Sequence, residues 1–160
     1  MKATNFYRGP YASSELIIMD ESVYHLGIQN DEVAQNVILV GDPDRVEIIS
    51  DFCDQQFSFR RSREFAISMN RIGNHDLTIL STGIGVDNID IVLNELDAAV
   101  NIDFKTRMQK STHTALNIVR IGTSGAIHPS VEIGDFVASA YAIGMDAVPY
   151  HYECELTNDE

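Results

Sequence analysis

Two arginines and three glycine-bearing loops are the residues of this sequence best suited to chemistry. Arg45 follows Gly41 by four positions in GDPDR, and Arg120 precedes Gly122 by two in RIGTSG. A third loop, STGIG, carries Gly83 and Gly85. Glycine lets backbone amides approach a bound group closely, and a following helix adds the positive end of its dipole. A guanidinium presents a planar fork that matches the oxygens of phosphate or carboxylate. Arg120 lies in the apolar run LNIVRI, where a buried charge is costly unless it meets an anion. Two readings stand side by side: an oxyanion site holding Arg45 and Arg120, or internal ion pairs with some of the chain's 24 acids.

The elements around these loops predict where they sit. VILV (residues 37–40) is apolar at every position, as in a strand covered on both faces of a parallel sheet. Beyond Gly41 a helix is expected, with Asp42 as cap, Pro43 at its first position and Val46, Ile48, Ile49 and Phe52 on its apolar face. Asp42 and Asp44 are therefore read as cap and helix-start residues rather than catalysts. REFAISMNRIGNHDLTILSTG reads as a hairpin turning at Gly73-Asn74. A second helix is expected from about Asp87, because Ile89, Val92, Leu93, Leu96 and Val100 recur at helical spacing. NDEVAQN suggests one helical turn capped by Asn30 or Asp31, NIDFKTRMQKSTHTA a surface loop, and EIGDFVASAYAIGMD a further strand. Residues 1–14 read as a flexible lead-in. Three strands thus run into glycine loops, the place where open α/β sheets hold ligands.

Composition narrows the function. The 160 residues suit one globular domain, and the net charge of -13 disfavours nucleic acid as a partner. No apolar run is long enough for a membrane span, and the N-terminus lacks the apolar core of a signal peptide. Cys53 and Cys154 stand far apart in no paired motif, which fits a reducing cytoplasm. STGIGVDN departs from a dinucleotide fingerprint, with Asn88 where the third glycine belongs. His75 and His113 fall in polar turns, His151 with Cys154 makes at most half a metal site, and His25 reads as a packed or edge histidine.

Six pieces, VYHLGI, GDPDRV, SREF, STGIG, NELDA and RIGTSGAIHPSVEIGDFV, occur in that order within about residues 16–146. Together they resemble the nucleoside phosphorylases of the hexameric type, and among these the uridine phosphorylases. The resemblance implies an α/β fold with a mixed, largely parallel central sheet flanked by helices. It implies that Gly41 and Arg45 hold inorganic phosphate, that Arg120 and Thr123 of the same subunit complete the cradle, and that Arg63 reaches a neighbouring subunit's phosphate. His25 would bond the 5′-hydroxyl of the neighbour's ribose, with Tyr24 lining that pocket, and Ile84 would face the sugar. Some members hold a monovalent cation between subunits through the acid after that arginine, here Glu64. The implied oligomer is built from dimers, a hexamer in its full-length form.

The implied reaction is phosphorolysis of a nucleoside, uridine above others, to base and ribose 1-phosphate, a pentosyl transfer belonging to pyrimidine salvage. Phosphate is the nucleophile and co-substrate, so no catalytic side chain and no cofactor is assigned. Family members are longer, and their second half carries base recognition. The resemblance therefore leads us to expect a single phosphorylase-like domain that is incomplete at its C-terminus and inactive by itself. Two other readings remain: a purine nucleoside phosphorylase, and a non-catalytic phosphate- or nucleotide-binding module on the same fold.

Overall fold

The computed structural model describes residues 8–152. In chain order its elements are β1 (Ile18–Met19), β2 (Ser22–Val23), β3 (Asn36–Val40), α1 (Asp44–Ser50), β4 (Gln55–Ser62), β5 (Phe65–Ile72), β6 (His75–Ser81), α2 (Val86–Asn101), β7 (Ile102–Asp103), β8 (Met108–Gln109) and β9 (Asn117–Ile121). The chain divides into two compact units, one ending at Ile121 and the other starting at Gly122. Each is described by itself.

The first unit is built on a five-stranded sheet in the order β4-β5-β6-β3-β9. β3 pairs in parallel with β6 on one side and β9 on the other, while β4, β5 and β6 form an antiparallel meander. The sheet is mixed, as expected, but with two parallel and two antiparallel pairings it is not largely parallel. Val37, Leu39 and Val40 are buried because β3 has a strand on each side and packing on both faces. Val37 and Leu39 join Leu26, Ile67, Leu80, Val92 and Leu96 in the larger core cluster; Val40 joins Val46, Ala66 and Ile79 in the smaller. Each fully buried aliphatic side chain here is worth about 1.5–3 kcal/mol of transfer free energy.

α2 follows the predicted spacing. Val92, Leu96 and Val100 are buried and Leu93 is exposed. α1 begins at Asp44, with Pro43 at the N-cap position and the Asp42 carboxylate accepting the Asp44 amide at 3.0 Å. Its apolar face is narrower than expected. Val46 is buried and Ile49 packs against the smaller cluster, but Ile48 and Phe52 point to solvent. The hairpin turn at Gly73 is as predicted, with Gly73 at φ 56°.

Several expectations need correction. NDEVAQN forms no helical turn, because its capping groups are used elsewhere. Asp31 sits at φ 59°, outside the helical region, and the Asn30 amide donates to Ala99 O (3.0 Å) and Ile102 O (2.6 Å) while accepting the Phe104 amide at 2.9 Å. Asn30 thus ties the end of α2 to the loop. Strand β4 went unrecognised because QQFSFRRS is a polar edge strand, with charged Arg60 and Arg61 on an otherwise open edge. The loop after α2 contains the β7–β8 hairpin and buries Ile102 and Phe104. Residues 8–12 of the lead-in are held down: the Tyr11 amide donates to Arg107 O (2.9 Å), and the Arg107 guanidinium donates to the carbonyls of Tyr11, Ala12 and Leu16.

β9 is an edge strand with Ile118, Val119 and Ile121 exposed, so the burial expected of LNIVRI is not met among the described residues. In the second unit, the strand expected over EIGDFVASAYAIGMD is absent among the described residues; Ile133, Phe136, Tyr141 and Ile143 are exposed. A strand needs a hydrogen-bonded neighbour, and none pairs with this segment. The one regular element of that unit among the described residues is a 3-10 turn, Val148–His151. Within the described residues no helix is long and apolar enough to cross a membrane.

Two outcomes follow for stability. Asn30→Ala leaves the Ile102 carbonyl and the Phe104 amide without their side-chain partner and removes one of two donors to Ala99 O, and should lower the unfolding free energy by about 1–3 kcal/mol in urea melts. Glu32 accepts two hydrogen bonds from Arg60, at 2.7 and 2.8 Å, and these hold its carboxyl below the ordinary range against the opposing effect of burial. A depressed carboxylate stabilises the fold above its unfolded value, about 4.3, and that contribution disappears as pH falls through the lower folded value. The pair is partly exposed, so the advantage of the wild type over Glu32→Gln at pH 7 should be modest, about 0.2–1 kcal/mol, and should shrink in melts below pH 4.

Candidate anion cradle and histidine cluster

The parallel ladder brings three strand ends to one edge. Val40 is in register with Ser81 on one side and Ile121 on the other, so β3, β6 and β9 finish together. The chain leaves β3 toward β6 and returns past it to β9, so the strand order reverses at β3, where open α/β sheets form a crevice.

At this edge a Cβ placed on Gly41 would lie 3.7 Å from an Arg120 guanidinium nitrogen and 3.9 Å from the Gly83 carbonyl oxygen. The loops after β3 and β6 and the end of β9 therefore converge. Arg120 reaches this point from the register position opposite Leu39. It is exposed, so the burial argument for it does not hold in the described structure. What comes close to the Gly41 backbone is the Arg120 side chain itself. Arg45, half-buried, lies in the first turn of α1, and neither arginine enters an ion pair among the described residues. Internal ion pairing, the alternative reading of the two arginines, is not found there. Thr123 lies in the second unit, in an exposed stretch without regular structure.

The STGIG loop is held from both ends. Thr82, fully buried, donates its amide (2.7 Å) and its hydroxyl (3.2 Å) to the Val40 carbonyl. Gly83 (φ 66°) and Gly85 (φ 103°) adopt backbone that other residues resist. Asn88, which stands where a dinucleotide loop has glycine, donates to Ile84 O at 3.2 Å and closes the loop. Ile84, predicted to face the sugar, is fully exposed.

The remaining predicted residues form a second cluster. Tyr24 and His25 stack edge to face at 5.0 Å between centroids, and the Arg63 guanidinium lies 4.2 Å over the Tyr24 ring. Arg63 occupies the β4–β5 turn at φ 54°. Ser62 Oγ donates to His25 O at 2.6 Å, and Gly27 (φ 63°) bends the chain beyond it. Glu64 is exposed, and no group of three or more potential metal ligands occurs among the described residues. His75 and His113 are exposed, as expected; Cys154 lies outside the described residues. Burial, with the neighbouring Asp54 charge, pushes the Cys53 thiol up, which favours its protonated form.

One residue of this cluster escaped the sequence reading. Glu95 of NELDA sits on the buried face of α2 and accepts the His25 ring Nδ1 at 2.7 Å and the Leu26 amide at 2.8 Å. Its signal was available: an acid spaced by three from Val92 and one from Leu96 falls inside an apolar helical stripe, where a carboxylate requires partners. A cleft of about 390 Å³ lined by Ile18, Glu21, Gln29, Asn30, Phe104 and Lys105 involves none of the predicted site residues.

The edge of the sheet brings the Arg120 guanidinium together with glycine-bearing loops, with Arg45 in the first turn of the helix that follows, and the second cluster holds a histidine, an aromatic face and a further guanidinium. This is an α/β protein whose glycine-bearing loops and Arg120 meet at the carboxyl ends of its parallel strands. Residues 35–157 match the family model of the phosphorylase superfamily, and the chain belongs to that family. It is 30% identical over 129 residues to a uridine phosphorylase of Thermococcus kodakarensis and 32% identical over 129 residues to a guanosine phosphorylase of Halorubrum lacusprofundi. Each match covers 81% of this chain, and 42% and 48% of those relatives. The chain thus spans less than half the length of these relatives. Among solved structures, a Trypanosoma brucei nucleoside phosphorylase that shows uridine phosphorylase activity superimposes with a TM-score of 0.65 at 34% identity, covering 73% of this chain and 41% of that one. A Toxoplasma gondii purine nucleoside phosphorylase gives 0.52 at 25%, covering 68% of this chain and 38% of that one.

Gly83→Ala tests the loop. The new Cβ would meet Asn88 Nδ2 at 2.9 Å, on backbone at φ 66°. Left-handed backbone alone costs a non-glycine residue about 1–2 kcal/mol. The variant should therefore lose at least about 1 kcal/mol in urea melts, and adding Asn88→Ala should recover the contact cost but leave the backbone cost.

Proposed function

We propose that this chain is the phosphate-binding part of a single phosphorylase-like domain, in a nucleoside phosphorylase that acts on uridine. The observation that carries the reading is the meeting of Gly41, the Gly83 carbonyl and the Arg120 guanidinium at the ends of three parallel strands. In the reaction, a phosphate oxygen attacks C1′ of the ribose on the face opposite the base. The C1′–N bond breaks, its electron pair leaves on the base, and the base takes up a proton. Ribose 1-phosphate is the other product, so the enzyme is a pentosyltransferase.

Arg45, Arg120 and Gly41 hold the phosphate and orient it under C1′, which supplies proximity. The bound anion stabilises the oxocarbenium-like transition state. His25 and Tyr24 receive a ribose, Ile84 faces the sugar, and Arg63 reaches phosphate, with His25, Tyr24 and Arg63 donated to a neighbouring subunit. Support for that donation lies in their packing as one surface cluster. The proposed assembly is a dimer unit within a hexamer, in the cytoplasm, with no cofactor and with Glu64 as the ligand of a monovalent cation. The similarity to a guanosine phosphorylase and to a purine nucleoside phosphorylase favours a purine nucleoside as the second reading.

Phosphate binding tests the cradle. Hydrogen bonds to charged groups contribute about 1.5–3 kcal/mol, so Arg120→Ala should weaken phosphate binding at least about tenfold by calorimetry. Arg71→Ala is the comparison, since Arg71 pairs with Asp76 on the exposed hairpin; it should bind as wild type. Equal losses in the two variants would overturn the assignment.

A further inference from the structure

Glu95 is only 8% exposed, and every hydrogen bond it makes comes from one dipeptide. Oε1 accepts the His25 ring Nδ1 at 2.7 Å and the His25 amide at 3.1 Å. Oε2 accepts the His25 amide at 3.1 Å and the Leu26 amide at 2.8 Å. No lysine or arginine pairs with it among the described residues. The cost of burying this carboxylate is offset by donors that all belong to residues 25 and 26. The backbone at this point is further set by Ser62, which donates to His25 O.

An ionised carboxylate only accepts hydrogen bonds. Its contact with Nδ1 therefore requires a proton on Nδ1, and in a neutral ring Nε2 is then left with a lone pair. Nε2 has no protein partner among the described residues, and the side chain is 29% exposed. We propose that Glu95 is a positioning residue: it fixes the neutral His25 imidazole with its proton on Nδ1, so that Nε2 is presented as a hydrogen-bond acceptor to a ligand hydroxyl. The identity of that hydroxyl as the 5′-hydroxyl of a nucleoside rests on the function proposed above; the tautomer does not. A carboxylate serving only to anchor the loop would need the two backbone amides and not the ring.

Replacing Glu95 with glutamine inverts the arrangement without removing it. The two backbone amides require an oxygen, so the amide oxygen takes the Oε2 position and the NH2 group faces Nδ1. Nδ1 then accepts, and the ring proton moves to Nε2. The experiment is a long-range 1H–15N spectrum of the 15N-histidine-labelled chain at about pH 8.5, above the ordinary histidine range. The His25 signals are identified by their loss in His25→Gln. The wild type should show the Nδ1–H tautomer and Glu95→Gln the Nε2–H tautomer. An Nε2–H ring in the wild type overturns the proposal, even if the variant does not fold.

The ligand-facing half is read by selectivity. In the longest form of the protein that turns over uridine, Glu95→Gln should lower the preference for uridine over 5′-fluoro-5′-deoxyuridine about fivefold, the size of one neutral hydrogen bond. Fluorine accepts but cannot donate, so it suits a ring that carries the proton on Nε2. Unchanged selectivity beside an inverted tautomer would overturn presentation to the ligand. Absence of uridine and purine nucleoside turnover in every form would refute the nucleoside reading, leaving the tautomer to decide the role of Glu95.

Discussion

The structure depends on one ladder. β3 hydrogen-bonds in parallel to β6 and to β9, and the shared register makes all three strands stop at the same level. Parallel pairing requires crossovers, so the chain after each strand must leave over a face of the sheet and return. That requirement places α1 after β3 and α2 after β6, and it puts the intervening loops at one edge. A slip of one residue would turn every side chain of β3 to the opposite face. Val37 and Leu39 would then exchange faces with Ile38 and Val40, and the Gly41–Arg120 contact would be lost. The core and the candidate cradle are therefore specified by the same pairing.

What was legible in the sequence follows from this. VILV announces a central strand because such a strand must be apolar on both faces; LTILS and LNIVRI are apolar enough to announce strands, but β9 within LNIVRI lies on an edge, exposed among the described residues. α2 was legible because its length gives several turns of one apolar stripe. β4 was not, because an edge strand keeps one ladder open to water and carries Arg60 and Arg61 where a central strand has Ile and Val. The capping role read into Asn30 was chemically sound but misplaced. The same side chain that can cap its own helix here satisfies the C-terminal carbonyls of another. Local sequence shows that an asparagine wants backbone partners, and tertiary structure decides whose.

The candidate site was legible in its parts more than in its assembly. Arg45 and Arg120 stood out by neighbouring glycines, but their relation across β3 depends on strand order. Tyr24, His25 and Arg63 lie nearly forty residues apart in sequence and meet because the β4–β5 turn folds back beside the segment after β2. Glu95 belongs to the same cluster through a helix about seventy residues away. Buried polar groups of this kind carry information in both directions. A carboxylate in an apolar stripe forces partners, and the partners it finds here fix one ring and two amides.

Electrostatics gives the site its remaining distinction. With 24 acids against 11 bases, the chain repels anions at long range. Half of its eight described arginines are committed: Arg60 to Glu32, Arg61 to Asp44 and Glu47, Arg71 to Asp76, and Arg107 to three carbonyls. Each lies where a carboxylate or a carbonyl is at hand. Arg45 and Arg120 do not, although carboxylates outnumber bases by more than two to one, and Asp42 and Asp44 are close to Arg45 in sequence. The Asp42 carboxylate is turned to the Asp44 amide, and Asp44 is drawn to Arg61. The two acids nearest Arg45 in sequence are thus held by other donors. In an acidic chain, keeping the Arg45 guanidinium free of the carboxylates beside it in sequence requires such diversion.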